Sequence, residues 1–246
     1  MQRGDMDMSV DVAKKAIDEA AGLGAVAIQI TGGEPLVCPH VFEVIEYASS
    51  SGLKSFLATS GYNCSDGTYS RLKSAGLTAL CVSVNGITEE SNSRSRASFG
   101  ESLYAMKLAK VYNILCFLNV VVTDSNIDEL ALLGKYAEGC GACGVNILHP
   151  VTSYNGDYLP RCSEETVKKL AGIVCRSPNF FHVENCHREY WQYFTKNEFS
   201  CGDIGKTTYF VNVDGTVSPC SKMMRCKYSS ISEMLAERSD WECGCL

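Results

Sequence analysis

The sequence predicts an α/β protein: a partial parallel barrel of TIM-like (β/α)6 type, missing its first strand, with a small cysteine-rich C-terminal extension. Three observations predict it. Short apolar runs alternate with runs of helical period up to residue 177. The alternation then stops. Five of the fourteen cysteines, Cys201, Cys220, Cys226, Cys243 and Cys245, crowd into the last 46 residues. Alternating strands and helices of this length indicate βαβ units and a parallel sheet. The reading divides the chain into a barrel, 1–177, and an extension, 178–246.

The elements follow in order. Ser9 to Ala21 reads as a helix with Ser9 as its N-cap. Ala25 to Ile30 (AVAIQI) is the first strand, followed by Leu53 to Ala58, Ala79 to Val84, Ile114 to Val122 and Gly144 to Leu148. Val41, Val44, Ile45 and Ala48 share one helical face, and 128–137 and 164–174 show the same period. That makes five strands, each followed by a helix. The leading helix has no strand before it, so the expectation is that one strand and its loop are missing upstream, which brings the units to six. Beyond residue 177, Asn179 to Tyr193 reads as aromatic and irregular. Thr207 to Val213 and Thr216 to Ser218 read as a hairpin turning at Asp214-Gly215. Ser230 to Glu237 is a short helix.

Composition narrows the function classes. Of 246 residues, 46% are hydrophobic and 20% charged, the balance of a globular protein, and the net charge is −6. No basic stripe exists, so nucleic acid is not an expected partner. No apolar run approaches the roughly 18 residues of a membrane span, and the first residues carry no signal-peptide core. The expected location is cytoplasmic. In a reducing cytosol clustered cysteines are more often metal ligands than disulfides. Cys38, Cys81 and Cys116 sit in or beside apolar runs and read as small hydrophobes. Cys140 and Cys143 form an isolated C-x2-C. His40, His149, His182 and His187 read as structural, and Tyr190, Trp191, Tyr193 and Phe194 as packing between barrel and tail.

Candidate chemistry gathers at the strand ends, where parallel α/β folds bind ligands. Thr31-Gly32-Gly33-Glu34-Pro35 follows the first strand. Two glycines let a ligand approach the backbone, and Glu34 supplies a carboxylate suited to an ammonium group. Thr59-Ser60-Gly61 ends the second strand and Ser83-Val84-Asn85-Gly86 the third. Asn119 and Asn126 flank the end of the fourth.

The run ITGGEPLVCPHVFEVIEYASSSGLKSFLATSGYN resembles radical S-adenosylmethionine (radical SAM) enzymes of the SPASM/twitch branch. The resemblance implies that Gly32, Gly33, Glu34 and Pro35 bind the methionyl amino group of S-adenosyl-L-methionine. Thr59, Ser83 and Asn85 would approach its methionyl and ribose parts. It also implies radical modification of a peptide or protein substrate. No catalytic side chain is singled out. The chain departs from the pattern by having Ser60 for the asparagine of T-N-G, and Asn85 for the aspartate of S-x-D-G. The defining C-x3-C-x2-C, whose thiolates hold the radical-generating [4Fe–4S] cluster, occurs nowhere in the sequence. The missing strand and missing motif are therefore expected to be one upstream loss, and the chain by itself does not support that cluster. Two expectations follow: an enzyme body completed by a segment upstream or on another polypeptide, with an electron-donor protein as a further partner; or a catalytically inactive truncated remnant binding one iron–sulfur or zinc centre.

Cys201 is followed by thirteen residues, Gly215, four residues and Cys220. This matches the opening of SPASM and twitch domains. With Cys226, Cys243 and Cys245 the resemblance implies one auxiliary [4Fe–4S] cluster. Four thiolates equally suit tetrahedral zinc, or the cysteines hold no metal.

Overall fold

A computed structural model describes residues 7–93, 99–148, 162–184, 187–195, 207–221 and 226–237. Helix α1 (Val10–Gly22) opens on Ser9, whose hydroxyl accepts the Val12 N–H. Strand β1 (Ala27–Ile30) leads through a 3-10 turn, Pro35–Val37, into α2 (Val41–Ser50). Then come β2 (Lys54–Thr59), α3 (Asp66–Ser74), β3 (Ala79–Ser83), α4 (Glu89–Ser93), α5 (Phe99–Val111), β4 (Leu115–Val121), α6 (Ile127–Gly139), β5 (Gly144–Leu148), α7 (Glu164–Arg176), β6 (Phe181–Val183) and α8 (Arg188–Thr195). A hairpin of β7 (Phe210–Val211) and β8 (Val217–Ser218) precedes α9 (Ile231–Ala236).

The first six strands form one parallel sheet in sequential order, β1 to β6. Right-handed crossovers between successive parallel neighbours place every connecting helix on the same side. The core shows this. Leu57, Leu80, Val82, Leu118, Val120, Val145 and Ile147 pack with Ile45 of α2, Leu72 of α3, Met106 of α5, Leu130 and Leu133 of α6, and Leu170 of α7. Alternate strand residues face the opposite, inner side. A sheet covered by helices on one face only, with strands in chain order, is the partial TIM-like barrel that the sequence predicts.

The sequence reading counts five strands and takes 179–193 as irregular. The structure corrects both. Phe181–Val183 is a sixth strand, pairing Val145 with Phe181 and Ile147 with Val183. It lies past residue 177 yet belongs to the main sheet. Three residues are too few to show a period, so the pattern hides it. Its anchor is Phe181, whose ring lies over Gly134 of α6; a Cβ there would sit 2.5 Å from Cζ. Residues 188–195 form a helix whose Tyr190 is buried and packs edge-on against Trp191. The packing role read for these aromatics holds for Tyr190 and Trp191, which join the main core, whereas Tyr193 and Phe194 are exposed.

The hairpin also differs from the expected two-residue turn. Gly215 N–H donates to the Asn212 carbonyl, and Asn212 N–H to that of Thr216. Gly215 has φ +82°. This is a three-residue loop, Val213 to Gly215, with glycine in the left-handed position. Hairpin and α9 dock on α1. Val217, Ile231 and Met234 form a small core joined by Ala20. The Glu19 carboxylate accepts both the N–H and the hydroxyl of Ser232, each at 2.9 Å. Cys81 and Cys116 are buried as expected, and burial pushes their thiols up to about 11 and about 12, far from the thiolate form that reacts.

Candidate active site

The polar residues named from the strand ends converge at one end of the sheet. Gly32 and Gly33 lie exposed beyond β1. A Cβ added at either would meet nothing within 4 Å, so a ligand has room to reach the backbone there. Pro35 is buried. Glu34 caps the 3-10 turn: its Oε1 accepts the Leu36 N–H at 3.2 Å. The same oxygen accepts the Thr59 hydroxyl at 2.6 Å. Oε2 accepts the Ser60 N–H at 2.7 Å and the Ser60 hydroxyl at 2.6 Å. A carboxylate offers about four acceptor positions, and here each oxygen takes two hydrogen bonds. The carboxylate therefore locks the loop after β1 to the end of β2.

Ser60 is a partner to which the sequence reading gives no role of its own, naming it only within Thr59-Ser60-Gly61. Its only signal is its place between Thr59 and Gly61 at a strand end. The turn it sits on is held from behind by α5: the Ser102 hydroxyl donates to the Ser60 carbonyl. Gly61, at φ +89°, packs so tightly on this helix that a Cβ would lie 2.7 Å from the Glu101 carbonyl oxygen. Below, Cys64 has its thiol pushed up to about 11. Burial dominates, the Tyr69 hydroxyl opposes it, and the charges of Glu34 and Glu101 add to it.

Ser83 and Asn85 continue the line and are buried. Asn85 does structural work. Its Oδ1 accepts the Val121 N–H at 2.9 Å, its N–H donates to Asn92 Oδ1 at 2.9 Å, and its carbonyl accepts Asn126 Nδ2 at 3.0 Å. Asn126 also donates to the Val121 carbonyl and accepts the Thr123 N–H. Glu129 accepts the Ile87 N–H at 2.8 Å. Asn126 and Glu129 thus clamp the loop after β3 to the start of α6, and Asn92 ties it to α4. The sequence reading names Asn126 only by position and omits the other two, because hydrogen bonds to main-chain atoms leave no pattern in a sequence.

The metal candidates are split. Cys220 and Cys226 are half-buried. Cys220 follows β8, and Cys226 precedes Tyr228, which bridges back to Val217. Cys201, Cys243 and Cys245 lie outside the described residues, as does His149. Among the described residues no three His, Cys, Asp or Glu side chains gather into a metal site, and this includes Cys140 and Cys143.

A family model of the Radical SAM superfamily matches residues 1–137, which carry the Glu34 loop, the Thr59-Ser60-Gly61 turn and the clamp on Asn85. The chain belongs to the radical SAM superfamily. An AdoMet-dependent heme synthase of Methanosarcina barkeri is 29% identical over 167 residues, covering 67% of this chain and 48% of that protein. A PqqA peptide cyclase of Ruegeria pomeroyi is 27% identical over 217 residues, 84% of this chain and 57% of that protein. The chain thus spans about half the length of these relatives. Among solved structures, Streptococcus suis SuiB bound to S-adenosylmethionine aligns with TM-score 0.75 at 14% identity, over 92% of this chain and 57% of SuiB. The structure of anSMEcpe with bound AdoMet and a peptide gives 0.66 at 18% identity, over 93% and 70%. At such identities the likeness is one of fold. The superfamily implies S-adenosylmethionine and a [4Fe–4S] cluster. No helix among the described residues is long and apolar enough to cross a membrane.

Proposed function

We propose that this radical SAM chain modifies a peptide or protein substrate and carries one auxiliary [4Fe–4S] cluster of SPASM/twitch type in its 178–246 extension. The observation that carries the cofactor part is the Glu34 carboxylate, held by Thr59 and Ser60 beside the open backbone of Gly32 and Gly33. With its acceptor positions filled by Leu36, Thr59 and Ser60, the carboxylate would act on the ammonium of a methionyl group through its charge. Gly32, Gly33, Glu34 and Pro35 would receive that end of S-adenosyl-L-methionine, with Thr59, Ser83 and Asn85 along the rest of it. Asn85 would act there chiefly by fixing the β3 loop, since its Oδ1 is engaged by Val121. When bound, the cofactor supplies radical hydrogen-abstraction chemistry. What the chain's own residues do is bind and orient it.

The described residues do not supply the three thiolates of the radical-generating cluster, and the sequence contains no C-x3-C. For the auxiliary cluster, ligands would come from Cys201, Cys220, Cys226, Cys243 and Cys245. Cys220 after β8 and Cys226 before Tyr228 stand beside the hairpin that packs on α1, which supports a site on this extension.

Two likenesses support a peptide substrate. One relative is a PqqA peptide cyclase whose match covers 84% of this chain, and SuiB has been solved bound to its precursor peptide SuiA with the same fold. The test is iron and acid-labile sulfide per chain after anaerobic reconstitution. About four of each support one auxiliary cluster. Iron near zero, or zinc in its place, overturns the cluster assignment.

A further inference from the structure

The inner face of the sheet carries a row of polar side chains of which only Ser83 is used above. Ser83 on β3, Asn119 on β4, Asn146 on β5 and His182 on β6 are register partners in turn. In-register residues of neighbouring parallel strands project to the same face. Leu118, Val120, Val145 and Ile147, which alternate with the row, lie in the helix-side core. The row therefore faces away from the helices. Phe117 and Gly144 adjoin it on one side, Val121 and Leu148 on the other.

At the centre of the row, Asn146 Nδ2 donates to Asn119 Oδ1 at 2.9 Å. This uses one half of each amide. The other halves, Asn119 Nδ2 and Asn146 Oδ1, take no hydrogen bond among the described residues. Asn119 is 5% exposed. Neither atom is among the fully buried polar atoms without a partner, so both stay open to a ligand or to water. What remains is one donor and one acceptor, side by side on adjacent strands, with no charge on either.

We propose that the Asn119–Asn146 pair reads the main chain of a peptide substrate lying along the inner face of β4 and β5. A residue in extended conformation presents its N–H and C=O along one edge, as strands do to each other. Asn119 Nδ2 donates to the substrate carbonyl and Asn146 Oδ1 accepts its N–H. The neighbouring Phe117, Val121 and Leu148 give the peptide an apolar bed, and the His182 ring, 2.9 Å from where a Cβ on Gly144 would lie, bounds it towards β6. This inference rests on the peptide-substrate reading above and adds to it two specificity-determining residues. A neutral pair selects against a charged group at this point, whereas the Glu34 loop, on the other side of β3, suits a cation.

The experiment follows the side-chain NH2 resonances of 15N-labelled full chain during two separate titrations. The probes are N-acetylalanine N-methylamide, a minimal peptide main chain, and S-adenosylmethionine. Asn119→Asp and Asn146→Asp each delete one NH2 signal and so assign it. A saturable shift of both signals with the dipeptide, weakened about tenfold in Asn146→Leu as expected for one lost hydrogen bond, is the expected result. No shift up to the solubility limit of the dipeptide overturns the proposal. So does a shift of the pair by S-adenosylmethionine alone, which would assign the amides to the cofactor. If S-adenosylmethionine leaves the backbone amides of Gly33 and Ser60 unmoved while the dipeptide still shifts the pair, the cofactor reading falls and the amide pair stands.

Discussion

Glu34 and Ser60 are joined by two hydrogen bonds to one carboxylate oxygen, 2.6 Å from the hydroxyl and 2.7 Å from the amide. The serine keeps the carboxylate oriented across the gap between β1 and β2. Replacing Ser60 by alanine leaves the amide bond and removes the hydroxyl bond. The expected result is an affinity for S-adenosylmethionine lowered about tenfold, the size of one hydrogen bond to a charged group. Ser60→Thr restores it. Glu34→Gln, which removes the charge itself, weakens binding further. Calorimetric titration of the three variants checks the order; equal affinity in wild type and Glu34→Gln would sink the role of the carboxylate.

Gly61 tests the seam behind that serine. Its φ of +89° and the 2.7 Å approach of a Cβ to the Glu101 carbonyl oxygen both oppose a side chain. Left-handed strain alone is of order 1–3 kcal/mol for a residue other than glycine. Gly61→Ala is therefore expected to lower stability by about 2 kcal/mol or more, read as a shift in urea midpoint at constant slope. An unchanged midpoint would mean that the turn after β2 is not pinned to α5.

The extension is held to α1 by a charge. Glu19 has its pKa lowered: burial pushes it up, but the hydrogen bonds from Ser232 and Ile231 outweigh that. A carboxylate with a depressed folded-state pKa adds stability above its ordinary value, near 4.5, and loses it as pH falls through the lower folded value. The protection factors of the Val217, Ile231 and Met234 amides should then be high at pH 7 and fall as the pH drops below about 4.5, ahead of those of the main sheet. Glu19→Gln should abolish most of this pH dependence. If the variant keeps the wild-type pH profile, the docking does not depend on Glu19.

Much of this molecule was legible in the sequence, and the limits have physical causes. Five strands of four to seven residues announce themselves by apolar runs, and Ser9 by its place before a helical pattern. Gly32, Gly33 and Glu34 were found because a turn after a strand needs such residues. Ser60 was given no role of its own, and Asn92 and Glu129 were missed, because their partners are main-chain atoms or a carboxylate 26 residues away. Asn119 and Asn146 pair only through register, which a sequence does not print. The hairpin loop was misjudged by one residue because Asp-Gly suits both two- and three-residue loops.

The sixth strand gives the sharpest test, because two physical effects predict opposite signs. Gly134 lies within α6, and exchanging a helical glycine for alanine ordinarily stabilises by up to about 1 kcal/mol. Here the Cβ would lie 2.5 Å from Phe181 Cζ. Phe181 is the buried anchor of β6, so its ring cannot move without disturbing the pairing with Val145. Overpacking of a tight core costs about 1–3 kcal/mol, which outweighs the helix gain. Gly134→Ala should therefore lower the urea midpoint. Adding Phe181→Leu, which removes the ring atom in the way, should recover part of the loss, so the double variant is more stable than the sum of the two single changes. A stabilised Gly134→Ala protein would show that α6 does not press on Phe181, and that β6 is not the edge of the sheet.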